Sequence, residues 1–170
     1  MSTNVEQFSV FTAAVLDKLY DHFPELVTLQ QADFLEDVNV AHWFAEMDKA
    51  LEQIPKAPGS FARAEAAAGQ AETVTQRFRD HAQRKEILRG TINFLIAEGL
   101  VRCEEPFSEE MVFRGCQLTS KGFTHLHKEF KDKRLSDETS TVIRWIKERF
   151  TSSSSVEGAL IVDLITKFLG

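Results

Sequence analysis

A mainly α-helical domain with one small β-hairpin is the fold class this sequence predicts, and three observations carry that expectation. Apolar residues recur at three- and four-residue steps through most of the chain, the signature of helices with one buried face. The stretch 100–118 reads instead as two short strands around a polar loop. Helix stops of recognisable chemistry, prolines at 24, 55 and 58 and a glycine at 99, separate the segments.

Taken in order, Phe8, Phe11, Val15, Leu19 and Phe23 mark one face of a first helix, which Pro24 stops because it lacks an amide hydrogen. Leu26 to Leu29 is β-prone, and Gln30 to Leu35 has room for one or two helical turns. Val40, Trp43, Phe44, Met47, Leu51 and Ile54 define an amphipathic helix. Ser60 is a candidate cap for the next segment. There Phe61, Ala64, Ala68, Ala71, Thr75, Phe78 and Ala82 alternate steps of three and four, a heptad seam of mostly small residues. That seam serves either packing on the Trp43–Ile54 helix or a homodimer. Ile87, Leu88, Thr91, Ile92, Leu95 and Ile96 define a further helix, with Gly99 in the left-handed position beyond its end. A hairpin symmetric about its tip sets Val101 opposite Leu118 and Cys103 opposite Cys116, all four on the buried face. Thr119 caps a helix running from Lys121 to Phe130. Thr141 to Phe150 reads as a helix, Ser152 to Ser155 as a joint. The tail, with Leu160, Ile161, Leu164, Ile165, Phe168 and Leu169 on one side, reads as an amphipathic helix.

Lys+Arg 20 against Asp+Glu 26 gives 20 − 26 = −6, so long-range attraction to nucleic acid is absent and only a local basic face would supply it. The first residues lack the basic start and apolar run of a secretory signal, and no apolar stretch approaches the roughly 18 residues of a membrane span. With two cysteines only, the expectation is a cytoplasmic protein with reduced thiols and no membrane association.

The stretch from Gly90 through Glu98-Gly99-Leu100-Val101, followed by Leu118-Thr119-Ser120-Lys121-Gly122, resembles the third-helix-to-wing passage of bacterial winged-helix regulators. There a helix ending in EGLV leads through a hairpin to LT-x-KG. The opening helix and strand, Leu19 to Leu35, look like those of small bacterial proteins with the same ending. The likeness covers about half the chain, in two pieces. It implies a winged-helix domain of residues 1–36 and 83–130, interrupted by a helical insertion at 37–82. A C-terminal helix at 131–151 and a serine linker with tail helix at 152–170 would follow.

Within that frame the candidate DNA-binding residues are Arg84, Lys85, Arg89 and Asn93 on the third helix, with Arg77 and Arg79 leading in. Lys85, Arg89 and Asn93 are four apart and share one face, Asn93 placed to read a base and the cations to meet phosphate. The wing departs from a DNA-binding pattern: Glu104, Glu105, Glu109 and Glu110 would repel a duplex. The class of function expected is non-enzymatic binding, either a transcriptional regulator on double-stranded DNA or a protein-interaction adaptor. The adaptor would engage its partner through the acidic wing or the apolar tail. A homodimer is expected through Phe61, Ala64, Ala68, Ala71 and Phe78. No cofactor is expected. Cys103 and Cys116 with His125 and His127 lack zinc-ligand spacing, since the cysteines are 13 apart. A buried pair of reduced thiols is favoured, with a redox-sensitive cross-strand disulfide as the alternative. His22 and His42 read as packing or surface residues. No nucleophile elbow, P-loop or metalloprotease helix is present.

Overall fold

The computed structural model describes residues 4–35, 45–46, 48–49, 52, 61–106, 111–131 and 139–151. The chain divides into two compact units, Met1–Phe34 with Ile87–Gly170, and Leu35–Glu86. It is mainly helical, with a small three-stranded antiparallel sheet.

Helix α1 (Asn4–Asp21) buries Phe11, Ala13, Val15, Leu16 and Leu19, the stripe its apolar spacing demands. It ends before the cis Phe23–Pro24 bond. Phe23 therefore leaves the helix face expected for it; it is 40 % exposed and its ring lies 4.8 Å from that of Phe123. Strand β1 (Val27–Gln30) follows, then a 3₁₀ turn over Gln31–Asp33, with Asp33 accepting from the Gln30 amide at 2.8 Å.

Helix α2 (Phe61–Ala97) is continuous over 37 residues. The expected division into separate helices near 82 and 87 is thus corrected: Gln83-Arg84-Lys85-Glu86 are all good helix formers, and nothing there breaks the backbone ladder. Its last part buries Leu88, Thr91, Ile92 and Leu95 in the first unit. Phe8 meets Phe94 edge to face, centroids 5.4 Å apart, which joins α1 to this part. Of the helix expected at 40–54, residues 45, 46, 48, 49 and 52 are helical; the rest lies outside the described residues, as do Glu109, Glu110 and the expected tail helix.

Strands β2 (Val101–Arg102) and β3 (Val112–Leu118) complete a sheet of order β1–β3–β2, with β3 central. Val101 pairs with Leu118 and Arg102 with Gln117, the register that hairpin symmetry predicts. On the other side Val27 pairs with Cys116 but Leu29 with Phe113, so β3 carries one extra residue. Gly115, at φ +62, lies in this bulge, a conformation open to glycine without strain. Val101, Cys116 and Leu118 are buried as expected; Cys103 is only half-buried, and on the opposite face Gln117 is buried too.

Helix α3 (Ser120–Leu126) is shorter than its apolar pattern implied, and the expected helix through Phe130 is corrected by a second hairpin. Strand β4 (Glu129–Lys131) pairs antiparallel with β5 (Thr139–Thr141), and helix α4 (Val142–Thr151) follows at once. Three-residue strands hold too little periodicity to be read locally, and their pairing partner lies ten residues away in sequence. Val142, Ile143 and Ile146 of α4 are buried.

Charge ties α4 to α1. Lys147 reaches Asp21, stands 3.5 Å from Asp17, and lies over the Tyr20 ring at 5.6 Å. Burial pushes the Asp17 carboxyl above its usual range more than the nearby ammonium draws it down, while Lys147 is held charged mainly by Asp21. A raised acid favours the folded state at pH below its unfolded value of about 3.9, and that advantage disappears as pH rises through the folded value. Ionised Asp17 is therefore a net cost at neutral pH. Asp17→Asn is expected to be at least as stable as the parent at pH 7 and to lose any advantage near pH 3. Urea unfolding at both pH values checks this; a clear destabilisation at pH 7 would contradict it.

Candidate nucleic-acid interface

The candidate site is built on the passage from the end of α2 into the hairpin. The helix ends in a closed backbone arrangement: the Leu100 amide donates to the Leu95 carbonyl at 3.0 Å and the Gly99 amide to Ile96 at 2.9 Å. Gly99 adopts φ +68, which an L side chain would strain. Leu95 and Leu100, the residues flanking that reversal, are both buried.

The residues Leu118-Thr119-Ser120-Lys121-Gly122 then fasten this turn. The Thr119 hydroxyl donates to the Gly99 carbonyl at 2.7 Å and accepts from the Gly122 amide at 3.0 Å. The Thr119 amide donates to Leu100 at 3.0 Å, and the Lys121 ammonium reaches the Glu98 carbonyl at 2.6 Å. The motif thus joins a helix end, a strand end and a helix start. Its lysine satisfies an orphan carbonyl at the C-terminus of α2.

Around this frame the outer side of α2 faces solvent. Gly90, Asn93 and Ala97 are exposed, opposite the buried Leu88, Thr91, Ile92 and Leu95. Arg89 and Asn93 stand one turn apart in the first unit, Arg89 half-buried. Lys85, half-buried, precedes Arg89 by four residues of the same helix. Arg84 is exposed but sits about 100° round the helix from Lys85 and about 180° from Asn93, so it does not share their face. Arg77 and Arg79 are exposed. Near them His81 has its pKa lowered, first by burial and then by the positive charges of Arg84 and Lys85.

The hairpin offers no matching cation. Arg114, exposed on β3, forms an ion pair with Glu105 at 3.6 Å, and Glu104 and Glu105 are both exposed. The Arg102 guanidinium is committed to Gln117 Oε1 at 3.0 and 2.5 Å, while Gln117 Nε2 donates to the Pro24 carbonyl. Sequence reading missed Gln117: a polar residue on a strand's outer face gives no sign that it will be buried between two partners.

Of the seam on α2, Ala68 is exposed, Ala71 and Thr75 are half-buried and Phe78 is 42 % exposed; the Phe61 and Ala64 side chains lie outside the described residues. The expectation of reduced thiols is corrected. Cys103 and Cys116 form a disulfide, with Cα atoms 4.0 Å apart. The cause is register: pairing Val101 with Leu118 sets the two cysteines directly opposite, where their sulfurs meet. Among the described residues no group of three His, Cys, Asp or Glu comes together as a metal site, and no helix is long and apolar enough to cross a membrane. His22 Nδ1–H donates to the Lys18 carbonyl at 2.8 Å, a local surface contact.

No family model, curated protein or solved structure matches this chain.

Proposed function

We propose that the chain is a winged-helix binding protein, without catalytic activity, that acts as a DNA-binding transcriptional regulator in the cytoplasm. The observation that carries the reading is the β1–β3–β2 sheet fed directly by α2, with the exposed side of its last turns bearing Asn93 beside Arg89. A solvent-facing helix side that combines an amide side chain with cations is the kind of surface that enters a major groove. Arg89 and Lys85 supply phosphate contacts in this reading, and Asn93 a base contact. The exposed and half-buried small residues at 68 and 71 with Phe78 support a homodimer along α2, with Phe61 and Ala64 continuing the same spacing. Paired subunits would read a two-fold site.

Duplex binding by fluorescence anisotropy tests the proposal, with sedimentation of the same complex giving its stoichiometry. Affinity is expected to fall steeply with salt. Arg89→Glu is expected to weaken binding about tenfold or more and to lower the log–log salt slope by about one. Affinity untouched by that substitution, or no binding at low salt, would reject the DNA reading. One observation favours the second reading, a protein-interaction adaptor. The wing stem presents Glu104 and Glu105 with Arg114 already paired, a surface suited to a basic polypeptide rather than phosphate.

A further inference from the structure

We propose that the cleft beside Gly115 binds a small aliphatic α-amino acid, the ligand's carboxylate on Arg102 and its ammonium on Glu104. The cleft measures about 130 Å³ and is lined by Leu26, Arg102, Cys103, Glu104 and Gly115. Sites for drug-sized molecules run to roughly 300–1,000 Å³, so this one suits a ligand of amino-acid size. Its two charged residues have opposite sign, and they leave each other unpaired. Among the described residues Arg102 and Glu104 form no ion pair together. None of these residues lies on α2, so the site stands apart from the duplex-binding reading.

Each charge is set in place by a neighbour. Gln117, only 8 % exposed, holds its amide on the Pro24 carbonyl and accepts from Arg102 Nε and Nη2 at 3.0 and 2.5 Å. Those bonds occupy two of the guanidinium's N–H groups, and the amide they meet is neutral. Arg102 therefore keeps its full charge and the Nη1–Nη2 pair of donors, the fork that takes a carboxylate by two bonds. Glu104 is placed by a missing side chain. A Cβ on Gly115 would stand 2.6 Å from Glu104 Oε2, so the bare glycine is what lets the carboxylate lie against this wall of the cleft. Among the described residues that carboxylate has no hydrogen-bond or ion-pair partner.

With opposite charges on one small cleft, the ligand's own charges decide the fit. A lone carboxylate would satisfy Arg102 but lie beside Glu104, and a lone ammonium would do the reverse. Each leaves one protein charge unanswered and meets it with like sign. A free α-amino acid is ionised at both groups near neutral pH and answers both. The wall also includes Leu26, 52 % exposed, and covering it favours an aliphatic side chain over a polar one.

The test titrates the intact chain with L-valine, with isovalerate, which lacks the ammonium, and with isobutylamine, which lacks the carboxylate. Amide chemical shifts in two-dimensional NMR report affinity and place together. Valine is expected to give saturable shifts at Leu26, Glu104 and Gly115, with Kd on the order of 1 mM. Each analogue is expected to bind about tenfold more weakly or worse. Glu104→Gln should cost valine about tenfold yet leave isovalerate no weaker, since it removes a repulsion that isovalerate meets. The analogue series on the parent protein stands even where the variant folds poorly. No saturable shift with valine, shifts confined to another part of the protein, or either analogue binding as tightly as valine would each overturn the proposal. So would a folded Glu104→Gln protein that binds valine as the parent does or loses both ligands equally.

Discussion

Phe113→Ala is expected to lower the stability of the protein by about 3–5 kcal/mol, the range for removing a fully buried phenylalanine where the surroundings relax incompletely. Phe113 is 1 % exposed on the central strand β3, facing Leu29 of β1 across the ladder. Leu16, Leu19, Leu88, Ile92, Leu95 and Leu118 of the same unit are likewise essentially without solvent contact. Close packing of this kind leaves no mobile side chain to refill the void. The loss is read from urea unfolding followed by circular dichroism, with Phe113→Leu as the milder reference at less than about 1.5 kcal/mol. A cost under about 1 kcal/mol for the alanine variant would mean that β3 does not hold the core in this way.

The second large effect concerns Gly122, and its sign is unusual. Alanine within a helix ordinarily improves on glycine by about 1 kcal/mol. At Gly122 an added methyl would run into the Leu100 carbonyl oxygen, closer than real Cβ atoms come. That carbonyl is held in place, because it accepts from the Thr119 amide at 3.0 Å. Gly122→Ala is therefore expected to destabilise by about 2 kcal/mol or more, a collision outweighing propensity. Gly90, also in a helix, meets nothing within 4 Å, and Gly90→Ala is expected to stabilise by about 0.5–1 kcal/mol. Thermal unfolding of the two variants side by side gives the contrast. Similar shifts in one direction would show that the approach of α3 to Leu100 is not as close as described.

These two positions mark what was legible in the chain. The first helix, its proline stop, the Gly99 reversal, the Thr119 cap and the hairpin register all rest on local chemistry, and sequence carries local chemistry directly. The continuity of α2 was obscured because its apolar stripe changes phase. Ala71, Thr75 and Phe78 lie on a direction about 100° from Leu88, Ile92 and Leu95. A change of face then reads like an interruption of the helix. The β4–β5 hairpin was invisible because Glu129-Phe130-Lys131 has no pattern without its partner strand. For the candidate site, spacing alone separated Arg84 from the face of Lys85, Arg89 and Asn93. The opposition of Cys103 and Cys116 was likewise readable from hairpin symmetry, but whether two facing sulfurs are bonded is not written in spacing. The committed partners of Arg102 and Arg114 were beyond reach as well, since each depends on which side chains the folded sheet brings alongside.

The Thr119 hydroxyl, giving to Gly99 while receiving from Gly122, makes the LT-x-KG letters a piece of grammar rather than vocabulary. They state how one clause of the chain is punctuated before the next begins. Any polypeptide obliged to turn from a helix into a ribbon and back gains from the same punctuation, whatever molecule it greets. The meaning specific to this protein has to be sought in the side chains that the punctuation leaves facing outward.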